Sequence, residues 1–140
     1  MILYTEVFGF ESDDLSAVTA ELSRVLEKPA KPRFGDSRGG DYSAFGKYDE
    51  PGGGLSLYHN HFHDGIEPDI QEEDFPELGL ILLIEHAIER DADYVDYEPV
   101  LKEMRTFEPV LLYRSRYPDG ADKAEVLFDL AKEEGRSAPQ

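Results

Sequence analysis

The sequence predicts an α+β domain: a mostly antiparallel sheet with helices packed on one face, in the order β-α-β-β-β-α-β-α. Three observations lead there. Short alternating or wholly apolar runs recur along the chain, one long segment repeats its apolar residues at helical spacing, and a Pro-Gly-Gly-Gly turn joins two of the runs as a hairpin. At 140 residues the chain is long enough for one domain with a true core. We read residues 1–135 as that domain and 136–140 as a frayed tail.

Ile2 to Phe8 is rich in β-branched and aromatic residues and precedes Gly9, which marks a first strand. Ser12-Asp13-Asp14 then opens a helix, because Ser12 can cap free amides and both acids suit the positive end of the helix dipole. Leu15, Val18, Leu22, Val25 and Leu26 share one face of it, and Pro29 ends it. Residues 30 to 47 read as polar and turn-rich around Arg38-Gly39-Gly40, with a strand from Asp41 to Phe45. Beyond Pro51-Gly52-Gly53-Gly54, Leu55 to Phe62 alternates like a half-buried strand and closes a hairpin with Asp41 to Phe45.

Asp64 to Glu77 reads as an acidic loop, and Leu78 to Ile84, apolar on both faces, as a central strand. Residues 85 to 98 are acidic and polar. Pro99 suits the first turn of a helix that buries Val100, Leu101, Met104 and Phe107. Val110 to Arg116 reads as a strand. Asp119 then caps a last helix carrying Ala124, Leu127, Leu130 and Ala131, which Gly135 stops.

Composition narrows the function classes. With 31 acids against 14 bases the net charge is -17, which opposes direct nucleic-acid binding and anionic lipid surfaces. Such a field attracts a metal ion or a basic protein. The absence of cysteine removes disulfides, thiolate zinc sites and cysteine nucleophiles. The first residues lack the basic start and apolar stretch of a signal peptide, and the longest apolar run is too short to span a bilayer, so a cytoplasmic location is expected. Tyr 8 and Phe 8, spread from end to end, argue against disorder.

The charges are unevenly placed. Between Lys47 and Arg90 there is no lysine or arginine, while acids run through both loops that flank the expected central strand. If those loops emerge near one edge they build one negative face. The aromatics Phe75, Tyr94 and Tyr97 lie among the acids, and acids interleaved with aromatics suit protein recognition. The residues expected to contact a partner are Glu72, Glu73, Asp74, Asp91, Asp93, Tyr94 and Asp96. The competing reading is a pair of solvated loops whose aromatics tuck into the core.

The second cluster is His59-Asn60-His61-Phe62-His63-Asp64. On a strand, His59, His61 and His63 would share a side and could hold one divalent metal ion, with Glu67 as fourth ligand or base. The fragment His61-x-His63-x3-Glu67 resembles the first metal motif of cupins, although Asp74 stands where that motif has its glycine. The resemblance implies a metal-dependent enzyme as the alternative function.

Phosphate loops and the Gly-x-Ser-x-Gly elbow do not occur in the sequence. The leading expectation is therefore a non-enzymatic acidic protein without a cofactor. In size, acidity, missing cysteine and α+β layout it resembles the small immunity proteins of bacterial toxin systems. That resemblance implies a basic toxin or nuclease as partner, blocked by occlusion or by nucleic-acid mimicry. A third class is a domain whose acidity answers only to a salty environment.

Overall fold

The computed structural model describes residues 1–136. Nine strands, β1 (Ile2–Phe10), β2 (Lys31–Gly35), β3 (Gly40–Phe45), β4 (Gly54–His59), β5 (His61–Asp64), β6 (Glu67–Ile70), β7 (Leu80–Ile88), β8 (Val110–Tyr117) and β9 (Glu125–Asp129), are joined by three helices: α1 (Leu15–Leu26), α2 (Glu98–Leu101) and α3 (Leu130–Glu133). Seven strands form one sheet in the order β2-β3-β4-β7-β1-β8-β9, and every pairing in it is antiparallel. The mostly antiparallel α+β architecture is thus present, with fewer helical residues than the sequence suggests.

The long central strands β7 and β1 pair residue for residue from Ile2↔Ile88 to Phe10↔Leu80. Because side chains alternate, Phe8, Phe10, Leu80, Leu82 and Ile84 meet on one face with Leu55 and Leu57 of β4. The helix α1 lays Val18, Leu22 and Val25 on that face, as its spacing predicts. Its cap is Asp14, whose carboxylate accepts from the Ala17 amide, while Ser12 Oγ accepts from the Asp14 amide one step upstream. The helix ends at Glu27, a left-handed residue at φ 53°, before Pro29 is reached.

Three expectations are corrected. The helix from Pro99 lasts a single turn, although Met104 is buried and Phe107 packs against the core. The carboxylate of Glu21 on α1 takes the amides of Arg105 and Thr106, which a continuing helix would need. The first part of the expected last helix is β9, whose Val126 and Phe128 pair with Ser115 and Arg114 of β8, so Leu127 lies in a strand and the helix begins at Leu130. Nor do all helices share a face. The short α3 buries Ala131 in a second cluster with Val7, Tyr58, Phe75, Leu78, Ile81 and Leu112, on the opposite side of the sheet.

Two strands lie where loops are expected. The β2 strand is an edge, where Pro32, lacking an N–H, is tolerated. The β6 strand folds back on β5 as a separate hairpin arm. Of the expected tail, Arg136 is anchored by ion pairs to Glu77 at 2.5 Å and Glu134 at 2.8 Å, and residues 137–140 lie outside the described residues. Among the described residues no helix is long and apolar enough to cross a membrane.

Candidate functional site

The loop after β7 is clasped to the sheet. Glu6 and Arg114 are partners across the β1–β8 ladder, and Tyr4 and Arg116 are the next pair on the same face. Glu6 is fully buried. Arg114 Nε donates to it at 2.8 Å, Nη2 lies 2.7 Å away without hydrogen-bond alignment, and the Tyr94 hydroxyl donates at 3.0 Å. Burial pushes the Glu6 carboxyl above its usual range, against the pull of Arg114. Arg114 also reaches Asp96 at 3.6 Å and Glu98 at 3.8 Å.

Next along the strand, Arg116 grips both oxygens of Asp91, at 2.8 and 3.0 Å, and the Tyr4 hydroxyl donates to the same carboxylate at 2.7 Å. These bonds hold the Asp91 carboxyl below its ordinary range. Tyr4 and Tyr94 stack with ring centroids 4.3 Å apart. Asp93 pairs with Arg90 at 3.3 Å, and Asp96 accepts from the Glu98 amide. Asp91, Asp93, Tyr94 and Asp96 are therefore engaged within the molecule, and Tyr97 is buried in the core.

The first acidic segment is organised by Asn60. Its buried Nδ2 donates to the carbonyls of Phe75 and Leu78, both at 2.9 Å, and its Oδ1 accepts from the Glu72 amide at 2.8 Å. Its backbone bonds Gly79 and Gln71. Asn60 so ties the base of the β5–β6 arm to the turn that carries Glu72, Glu73 and Asp74. Glu72 is half-buried, and burial, then the neighbouring Asp74, raises its carboxyl. Among the described residues Asp64, Glu67, Asp69, Glu72 and Glu73 form no ion pair. Glu77 and the Asp74 carbonyl are held by Arg136.

The two acidic segments do not converge. One precedes Leu80 and the other follows Ile88, so they leave opposite ends of the nine-residue β7, separated by about 26 Å at the usual rise per residue. A single negative face made of both is corrected to one open acidic end and one end whose acids are held in ion pairs within the molecule.

The histidines do not form the expected row. His59 ends β4 in the large sheet, the chain turns at Asn60, and His61 and His63 lie in the arm. The His61 Nε2 is 2.7 Å from the Pro76 carbonyl oxygen, and within the arm His63 faces Pro68 while Glu67 faces Asp64. Alternation sets Glu67 on the side of the arm opposite His61 and His63. Among the described residues no group of three His, Asp or Glu side chains is placed to hold a metal.

Known proteins offer no match. No family model, no curated protein and no solved structure matches the chain.

The arm is the feature sequence reasoning missed. At its tip Gly65 takes φ 66°, and Ile66 beside it is 91% exposed. The Gly65 turn between two short runs was a legible hairpin signal, masked by Pro68 and the surrounding acids. Buried Glu6 was legible too, as a carboxylate in step with Tyr4, Phe8 and Phe10 on an apolar strand.

Proposed function

We propose that this chain is a non-enzymatic acidic binding protein that neutralises or regulates a basic protein, as an immunity protein or inhibitor does, with a toxin or nuclease as the expected partner class. The observation that carries this reading is the β5–β6 arm. It projects Asp64, Glu67 and Asp69 without an ion pair among the described residues, beside an apolar tip at Ile66. An isoleucine this exposed gains nothing for the free protein, whereas at an interface it supplies apolar contact inside a ring of steering charges. The contact residues proposed are those of the arm together with Glu72 and Glu73. Asp91, Asp93, Tyr94 and Asp96 serve to fix the opposite end of the sheet. The action is steering and occlusion, with no bond made or broken.

The test is a binding measurement with a purified basic partner recovered from the native cell. Affinity falls at least about tenfold between low and high salt, and also when Asp64→Asn, Glu67→Gln and Glu73→Gln are combined. Asp91→Asn leaves the association rate unchanged. Binding indifferent to salt and to the triple variant rejects the reading.

A further inference from the structure

A cleft lies between the arm and the β2–β3 turn, with a volume of about 390 Å³. Its floor is the Gly39–Gly40 backbone, and an aromatic ring stands at each glycine. A methyl group built on Gly39 would lie 2.7 Å from the Phe62 ring, and one built on Gly40 would lie 4.0 Å from the ring of Phe34. Phe34 is 73% exposed on an edge strand, a placement the fold does not use. Asp36 and Asp64 line the same cleft, and neither forms an ion pair among the described residues.

The nearby cations are directed elsewhere. The Arg38 guanidinium sits over the Tyr58 ring at 5.1 Å from its centroid. Arg33 and Phe34 are successive residues of β2 and so point to opposite faces. His63 also lines the cleft and is the one other titratable side chain there among the described residues.

The Phe34 and Phe62 rings, a glycine floor without side chains and two carboxylates free of ion pairs among the described residues form a receptor for a planar cation with an apolar stem. Aromatic faces attract cations, and guanidinium also stacks on rings and bonds carboxylates through its fork of donors. We propose that this cleft receives an arginine side chain presented by the basic partner. The assignment rests on the binding reading above and deepens it by naming the recognised group.

The test uses the purified full chain and small probes followed by NMR at constant ionic strength. Nα-acetyl-arginine N-methylamide is expected to shift the Phe34 and Phe62 ring signals saturably. Its citrulline counterpart, the same shape without charge, is expected to do nothing. Phe34→Ala and the pair Asp36→Asn with Asp64→Asn each weaken the arginine probe at least about fivefold. All three positions are on the surface, and an unchanged amide spectrum elsewhere verifies the fold. No saturable shift, an equal response to citrulline, or binding unaltered in both variants overturns the assignment. If the cleft fails while a basic protein still binds with steep salt dependence, only this inference falls. If the probe binds but no basic protein does, the cleft stands and the wider reading falls.

Discussion

Glu6 and Arg114 face each other from neighbouring strands, with Nη2 2.7 Å from Oε2 in a setting where Glu6 has almost no contact with water. Removing one member strands the other. Arg114→Met therefore destabilises the fold by about 3 kcal/mol or more, because a carboxylate is left buried without its cation. Adding Glu6→Gln to that variant restores part of the loss. Urea unfolding of the two single variants and the double variant checks this, and simple additivity would contradict it.

The Asp91 clasp responds to pH in the opposite sense from Glu6. A carboxyl held below its unfolded value by Arg116 and Tyr4 adds stability above about pH 4, and that contribution is lost as pH falls through the folded value. Glu6, raised by burial, contributes most below the ordinary carboxylate range and loses that contribution as pH rises through its folded value. The stability gap between the native chain and Asp91→Asn should shrink on acidification, while the gap for Glu6→Gln should grow in favour of the native chain. Thermal unfolding across the acid range reads both slopes.

Asn60 is tested by two substitutions of different logic. Asn60→Ala orphans two buried carbonyls and one amide and costs about 2–4 kcal/mol. Asn60→Asp keeps the shape but cannot donate to Phe75 and Leu78, so it should be at least as damaging. Faster amide exchange at Gln71 and Glu72 is the local signature.

Gly39 and Gly65 both have positive φ but differ in surroundings. Gly65→Ala adds only the left-handed backbone cost of about 1 kcal/mol, since nothing lies within 4 Å. Gly39→Ala adds a clash with Phe62 and should cost about 1–3 kcal/mol beyond that. Paired unfolding curves separate the two effects.

The legible parts of the fold were those set by local chemistry. The alternation of Leu55 to Phe62, the β-branched and aromatic content of Ile2 to Phe8 and the helical stripe of Val18, Leu22 and Val25 are all visible within a single segment of chain. Leu127 and Leu130 fit a helical stripe, and pairing with Ser115 and Arg114 of the preceding strand makes Glu125–Asp129 a strand instead. The charge map located the acids correctly but not their partners, since Arg114 and Arg116 lie more than a dozen residues from Asp91 and Asp96. The histidine row failed at one residue: buried Asn60 turns the chain out of the large sheet.

The outermost strand of the large sheet has a consequence for crowding. A chain laid along Lys31–Gly35 meets a proline that has no hydrogen to offer, flanked by Lys31 and Arg33. An identical neighbour would bring its own two cations to the same line. That rim resists ribbon growth from copy to copy, and so protects a sheet of seven strands from propagating into fibrils at that side.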